Sequence, residues 1–210
     1  MGTVELTPAL RSEYERLFAE CKVRPERLAA VNLIVDALVA SQARYAAVAK
    51  ALSIPWQFIG AIHNMESSRS FTRHLHNGDP LTARTTHVPA GRPKAGKPPF
   101  TWEASAEDAL QMKGLGATTD WTVGGTLYQL ERYNGFGYRQ HHPKVLTPYL
   151  WSFSNHYKSG KYVADGKWSS VAVSAQCGAA VLLRRMADRG IIYSTQTAEL
   201  PKLPVSPQHP

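Results

Sequence analysis

Residues 55–67, Pro-Trp-Gln-Phe-Ile-Gly-Ala-Ile-His-Asn-Met-Glu-Ser, decide the fold of this chain. Ile59, Ile62 and Met65 recur at the spacing of one helix face, so the stretch predicts an amphipathic helix that follows a proline. Glu66 lies on the same face. Burial among apolar side chains raises the pKa of a carboxyl group, and the partial negative charge of a helix C-terminus acts in the same direction. A buried Glu66 would therefore suit general acid catalysis.

Two interpretations of Glu66 remain open from the residues alone. In the first, the carboxyl group turns out to solvent or pairs with Arg69 or Arg73. In the second, it is buried and works with another carboxylate. Asp79 is the candidate for that partner, because His-Asn-Gly-Asp-Pro is a tight-turn signal that predicts a β-hairpin over residues 73–86.

Thr85 follows Asp79 on the outgoing strand of the predicted hairpin. A buried carboxylic acid can protonate the leaving oxygen of a glycosidic bond, while a hydrated carboxylate holds the attacking water or stabilises the transition state. The spacing of Glu66, Asp79 and Thr85 is compatible with this chemistry. Asp79 also has a simpler interpretation as a turn former.

The remaining pattern predicts a mainly α (α+β) protein in which one helical domain carries a small β-hairpin beside a cleft. We expect one domain over residues 1–197, with N-terminal helices from 1–52 packed on it, and an unstructured proline-rich tail over 198–210. Further helices are predicted after Thr7-Pro8, along the apolar stripe 28–52, and over 102–112, 122–133 and 170–189, the last with Ser169 as its cap.

Composition limits the partners. The chain has 210 residues, with 24 Lys+Arg against 16 Asp+Glu and a formal net charge of +8. This charge favours an anionic partner such as nucleic acid, lipid or a bacterial envelope polymer, or serves solubility alone. No apolar run is long enough to cross a bilayer, so we expect no stable membrane insertion. Cys21 and Cys177 lack metal-ligand spacing, and no cofactor is predicted.

Aromatic residues are concentrated in residues 133–168, which hold nine of the twenty in the chain. Aromatic rings with polar tips bind sugar rings well, although most of these rings are expected to pack a loop-rich subdomain. We expect Tyr133, Asn134, Tyr138 and Trp151 to line a cleft. The predicted substrate-binding set also includes His76, as a neutral donor on the hairpin. Basic residues are expected at the rim of this cleft: Arg92, Lys94, Lys97, Lys144, Lys158 and Lys161.

These motifs together resemble the lysozyme-like superfamily, in particular the phage endolysin-type muramidases. Those enzymes place a catalytic glutamate before a hairpin aspartate with a threonine six residues further on, as Asp79 and Thr85 are spaced here. The interval from Glu66 to Asp79 is longer than usual in the family. Glu66-Ser67 is also similar to the Glu-Ser motif of goose-type lysozymes and lytic transglycosylases, and Tyr133-Asn134 to the Tyr-Asn motif of their sugar cleft.

The resemblance implies a monomeric, metal-free N-acetylmuramidase that cleaves the β-1,4 bond between N-acetylmuramic acid and N-acetylglucosamine. Glu66 is implied as the acid, Asp79 as the group that positions or activates water, and Thr85 as a residue that holds this water. The partner is the peptidoglycan glycan strand, not nucleic acid. The N-terminal sequence Met-Gly-Thr-Val-Glu-Leu-Thr lacks a secretory pattern, which predicts synthesis in the cytoplasm. A bacteriolytic phage or prophage endolysin would then reach the host periplasm through a holin.

Three alternatives remain. The first is another glycosidase of the same superfamily, either a lytic transglycosylase or a chitinase or chitosanase. The second is a zinc-dependent peptidoglycan amidase or peptidase, for which His63, His74 and His76 with Asp79 would supply the ligands, although their spacing is a weak signal. The third is a binding module without catalysis, for which the basic loop 87–99 and the aromatic residues would supply the surface.

Overall fold

The computed structural model describes residues 4–191, which contain nine α-helices and one two-stranded antiparallel sheet. This confirms the mainly α prediction for the described part of the chain, and the tail 198–210 lies outside it. The helices are α1 (Pro8–Glu20), α2 (Leu28–Ala40), α3 (Gln42–Leu52), α4 (Trp56–Ser67), α5 (Trp102–Met112), α6 (Val123–Asn134), α7 (Gly137–His141), α8 (Pro148–Trp151) and α9 (Ala179–Asp188). The strands are β1 (Lys161–Ala164) and β2 (Lys167–Ser169).

Helix α4 lies at the centre of the core. Phe58, Ile59 and Ile62 are fully buried, and α4 packs against α3, α6 and α9. The predicted helix therefore forms and buries the predicted face. Ser68 ends it in the left-handed conformation, with φ of 50°. Glu66 is thus held in the last turn of a helix that is fixed on three sides.

The apolar stripe over residues 28–52 forms two helices rather than one. The backbone N–H of Ser41 closes α2 by donating to Ala37 O at 3.2 Å, and Ser41 O accepts from Arg44 N at 3.1 Å to open α3. Both helices still bury the predicted stripe, through residues such as Leu38 and Tyr45. A periodic pattern does not reveal a one-residue break, because the apolar spacing continues across it.

The last helix begins at Ala179, so the predicted start near residue 170 with Ser169 as cap is wrong. Residues 170–174 instead run beside 157–160, where Gly160 N donates to Ala172 O at 2.9 Å. Gly178 then passes so close to α8 that an added Cβ would lie 2.2 Å from Leu150 O. Tertiary packing, rather than local propensity, therefore sets the start of α9.

The predicted hairpin over residues 73–86 is also wrong. Only an isolated antiparallel bridge between Arg73 and Pro80 forms there, and the sheet of the described residues lies at β1–β2. Pro80 has no N–H to extend a ladder. In addition, the carboxylate of Asp79 accepts the backbone N–H groups of Thr86 and His87, which folds the outgoing chain into a loop.

No helix within residues 4–191 is both long enough and apolar enough to cross a membrane.

The close approach of Gly178 to α8 gives a test of the packing. We expect Gly178→Ala to lower the free energy of unfolding by about 1–3 kcal/mol, because the new methyl group meets backbone atoms that cannot rotate away. Gly137→Ala is the matched control, since no heavy atom lies within 4 Å of its added Cβ. Denaturant unfolding of both variants measures the difference, and equal stability would contradict the packing described here.

Candidate active site around Glu66

The carboxyl group of Glu66 lies between two tyrosines from different helices. Tyr149 of α8 donates its hydroxyl hydrogen to Glu66 Oε1 at 2.9 Å. Tyr133 of α6 lies close enough for the charge of Glu66 to affect its hydroxyl group. Among residues 4–191, no other side chain donates a hydrogen bond to this carboxyl group, and no cation lies within 4 Å of it. Oε2 is therefore the oxygen left for a ligand.

Burial dominates the electrostatics of this group. Desolvation raises the pKa of Glu66 above its ordinary value, as predicted, while the hydrogen bond from Tyr149 and the charge of Lys113 lower it in part. Burial also raises the pKa of Tyr149 and of Tyr133, and the neighbouring carboxylate adds to both shifts. The tyrosines therefore remain neutral hydrogen-bond donors, and the pKa of Glu66 is shifted in the direction that a general acid requires.

A fully buried glutamate elsewhere in the core shows how different the environment of Glu66 is. Glu131 of α6 accepts from Tyr14 at 2.5 Å and from Arg139 at 3.1 Å, so its charge is paired. Arg139 also pairs with Glu13 at 3.0 Å. This network joins α1, α6 and α7 and has a structural role. Glu66 has a tyrosine but no comparable cation, and perturbed carboxyl groups of this kind are typical of functional sites.

A groove of about 250 Å³ shares two residues with the surroundings of Glu66, which does not itself line it. Its lining residues come from the end of α5, the following loop and α6: Met112, Lys113, Leu115, Gln129, Arg132 and Tyr133. Lys113 and Tyr133 are the shared residues, because both also interact electrostatically with Glu66. The Lys113 ammonium lies 4.8 Å from the centre of the Tyr133 ring. The site thus combines an acid, an aromatic wall and a cation.

Asp79 and Thr85 brace the loop that follows α4. Asp79 Oδ2 accepts from Thr86 N at 2.7 Å and His87 N at 3.0 Å, and Oδ1 accepts from His87 Nδ1 at 2.6 Å. These hydrogen bonds lower the pKa of Asp79 well below its ordinary range. The hydroxyl group of Thr85 donates to Pro89 O at 2.5 Å and accepts from Arg92 N at 2.9 Å. Their roles in catalysis remain predictions.

This loop also approaches the end of α4. A Cβ added at Gly78 would lie 3.7 Å from Glu66 O, so the turn that carries Asp79 is adjacent to the backbone of Glu66. The carboxyl groups of Glu66 and Asp79 have separate hydrogen-bond partners. The structure therefore brings the two segments together, while the side chain of Asp79 is used within its own loop.

His76 belongs to a buried polar network rather than to the groove, which corrects its assignment as a substrate contact. Its Nε2 lies 2.7 Å from Asp108 Oδ2, and Arg92 Nε donates to the same oxygen at 2.8 Å. The Ser105 hydroxyl oxygen lies 2.7 Å from His74 Nδ1, which joins His74 to the same network. Arg92, predicted as a rim cation, is likewise paired here, so the network holds the loop against α5.

The other predicted cleft residues occupy three different environments. Trp151 is wrong as a cleft residue, because it is 1% exposed and packs in the core. Tyr138 is half-buried against Tyr162 and Trp168, and its hydroxyl group accepts from Tyr162 N at 3.3 Å. Asn134 is exposed at the end of α6. Of this set, the structure places Tyr133 beside Glu66.

The histidines proposed as zinc ligands have other contacts. His63 Nδ1 lies 2.9 Å from the Tyr45 hydroxyl, and burial lowers its pKa to about 4. His74 Nε2 lies 2.8 Å from Ala83 O. Within residues 4–191, no three His, Cys, Asp or Glu side chains form a group that could hold a metal ion.

Sequence reasoning missed Tyr149, Lys113 and Gln129 as site residues. Tyr149 follows Thr147-Pro148, and the hydroxyl group of Thr147 accepts from Tyr149 N at 3.3 Å. Thr147-Pro148 is a helix-cap signature visible in the sequence, and it could have predicted the short helix that carries Tyr149. Lys113 and Gln129 have no comparable local signal, because only the packing of α5 on its neighbours brings them to the groove.

Comparisons of the chain with protein-family models, with curated proteins and with solved structures found no match.

The contrast between Glu66 and Glu131 is testable by stability measurements. The raised pKa of Glu66 means that the folded state binds its proton more tightly, so the contribution of Glu66 to the free energy of unfolding should fall as pH rises above about 4.5. We expect Glu66→Gln to lack this contribution, so the free energy of unfolding of wild type should decline relative to that of the variant between pH 4 and pH 8, and the variant should be equally or more stable at pH 7. Chemical unfolding of both proteins between pH 4 and 8 measures this difference in stability.

Glu131→Gln is the matched control for that experiment. We expect it to lower the free energy of unfolding by about 1–3 kcal/mol, because Tyr14 and Arg139 lose a charged acceptor. A similar loss of stability in Glu66→Gln would show that Glu66 is also a structural residue.

The bracing role of Asp79 gives a second prediction. We expect Asp79→Asn to lower the free energy of unfolding at pH 7 by about 1–3 kcal/mol, because an amide is a weaker acceptor for Thr86 and His87. The pKa of Asp79 is lowered by folding, so its contribution is present above about pH 4 and is lost as pH falls. The difference in free energy of unfolding between wild type and Asp79→Asn should therefore become smaller as the pH falls. Denaturant unfolding measures it, and a constant difference from pH 7 to pH 2 would contradict this role.

Proposed function

We propose that this protein is a peptidoglycan-degrading glycosidase of the lysozyme-like type, with Glu66 as the general acid. The observation that carries the proposal is the environment of that carboxyl group. It is half-buried, its pKa is raised, and Tyr149 orients one oxygen while the other faces no protein donor in the described chain. A carboxylic acid beside a groove with an aromatic wall is what cleavage of a glycosidic bond requires.

In the proposed reaction, Glu66 donates its proton to the bridging oxygen as the bond between the sugar anomeric carbon and that oxygen breaks. The leaving sugar departs as an alcohol, and positive charge develops on the sugar that remains. Tyr149 stabilises the carboxylate that Glu66 becomes, because it already donates to Oε1. The Lys113 charge acts in the same direction once the proton has left.

Two ways of completing the reaction give two candidate activities. In hydrolysis by an N-acetylmuramidase, water attacks the anomeric carbon, and Asp79 holds that water with Thr85 and accepts its proton. In lytic transglycosylation, the C6 hydroxyl group of the muramic acid attacks instead and gives its proton to the Glu66 carboxylate, so no second carboxylate is needed. The second candidate is favoured by one observation, namely that both oxygens of Asp79 already accept hydrogen bonds from the loop.

The proposed biological setting follows the resemblance of the sequence. A bacteriolytic endolysin of a phage or prophage, released through a holin, acts on the wall polymer in the periplasm as a monomer. The charge of +8 supports this setting, because it attracts the protein to an anionic envelope surface.

The decisive test is digestion of purified peptidoglycan by wild type and Glu66→Gln. We expect the variant to lose about 10²–10⁴-fold in rate, because the amide has no proton to transfer. Glu26→Gln is the matched control, since Glu26 is an exposed glutamate in the turn before α2. Equal rates for wild type and Glu66→Gln would contradict the proposal.

The products of the same digestion separate the candidates. Reducing muramic acid ends indicate hydrolysis, and 1,6-anhydro ends indicate transglycosylation. Free peptide ends, with activity lost in EDTA, would support the zinc amidase or peptidase instead. Mass spectrometry of the released fragments distinguishes these outcomes.

A further inference from the structure

The groove beside Glu66 contains two cations without acidic partners. Lys113 and Arg132 both line it, and neither forms an ion pair within residues 4–191. No aspartate or glutamate is among the groove-lining residues. Arg132 donates one hydrogen bond to Lys113 O at 2.8 Å, which ties the two cationic residues to each other. Unpaired cations held at one groove favour an anionic group on whatever binds there.

Gln129 supplies an independent observation in the same groove. Its Oε1 atom is buried and has no hydrogen-bond partner in the described structure. A buried amide oxygen without a donor is costly. Because Oε1 has almost no accessible surface, a bound N–H or O–H group reaches it once the half-buried side chain rotates into the groove that Gln129 lines. Amide N–H and hydroxyl groups are both abundant on acetylated sugars.

The remaining walls are apolar. Met112, Leu115 and the ring of Tyr133 line the groove beside the polar groups. Sugar rings present apolar C–H faces together with hydroxyl groups, and this mixed lining matches such a ligand. Two of the lining residues, Lys113 and Tyr133, also interact electrostatically with Glu66.

We infer that this groove binds a glycan segment that carries a carboxylate, recognised by Lys113 and Arg132, with Gln129 accepting an amide N–H. The inference rests on the proposed function and narrows its substrate class. Acidic, N-acetylated strands are preferred over neutral chitin-like strands, and cationic chitosan is disfavoured by like charge. In a wall polymer the carboxylate belongs either to the lactyl ether of the muramic acid or to the attached peptide.

The test measures binding separately from cleavage. Isothermal titration uses the Glu66→Gln protein, so that the probe is not consumed. The first probe is a peptide-free oligosaccharide of alternating N-acetylglucosamine and N-acetylmuramic acid. Its partner is the same oligosaccharide with the carboxylates converted to methyl amides. A second pair carries the wall peptide, with its carboxylates free or amidated in the same way.

For at least one pair, we expect the Kd of the neutral form to be about three- to tenfold larger than the Kd of the charged form, the range for exposed charge contacts. In proteins that also carry Lys113→Gln or Arg132→Gln, this ratio of the two Kd values should fall towards one. Lys22→Gln is the matched control and should keep the ratio, because Lys22 is an exposed lysine outside the groove. Gln129→Leu should weaken both members of the pair.

The pair that shows the effect identifies the source of the carboxylate. A ratio above one for the peptide-free pair assigns the lactyl group, and a ratio above one only for the peptide-bearing pair assigns the peptide. A ratio of one for both pairs, or a ratio unchanged by Lys113→Gln and Arg132→Gln, overturns the inference. Failure of the wild-type protein to cleave any strand would overturn the proposed function instead. That outcome is measured separately, in the digestion of purified peptidoglycan.

Discussion

The partial burial of the Glu66 carboxyl group, bound by Tyr149 and electrostatically coupled to Tyr133, is the constraint on which the rest of the site depends. Those tyrosines come from α6 and α8, so the end of α4 must contact both helices at once. Removing a carboxyl group from water without a cation is unfavourable, and proteins tolerate such groups where activity needs them. The buried apolar residues of α4 offset this cost, because they anchor the helix independently of its last turn.

The two carboxyl groups that the sequence pairs have opposite environments. Glu66 receives one hydrogen bond and is desolvated, which raises its pKa. Asp79 receives backbone and side-chain hydrogen bonds, which lower its pKa. This is the separation into an acid and a carboxylate that glycosidases use. The hydrogen bonds that keep Asp79 ionised also occupy its oxygens, and the same contacts therefore argue for a structural role in the loop.

Local signals predicted most of the helices and the character of Glu66, and tertiary contacts account for what was missed. Helix α5 matches its predicted range, because the Thr101 cap and the apolar spacing are encoded in adjacent residues. The partial desolvation and raised pKa of Glu66 follow from its place at the end of the apolar face of α4. The start of α9 depends on the approach of Gly178 to α8, and the burial of Trp151 depends on the whole core. No local pattern contains that information.

Lys113 couples the proposed acid, Glu66, to the groove proposed to bind the substrate carboxylate. In the free protein its positive charge lowers the pKa of Glu66 and so opposes the protonated state. A substrate carboxylate bound to Lys113 would compensate that charge, and the pKa of Glu66 would rise in the complex. Water displaced from the groove by the sugar would act in the same direction, since desolvation already dominates the environment of this group. Binding of an acidic strand would therefore favour the protonated acid, whereas a neutral strand would leave the charge of Lys113 uncompensated.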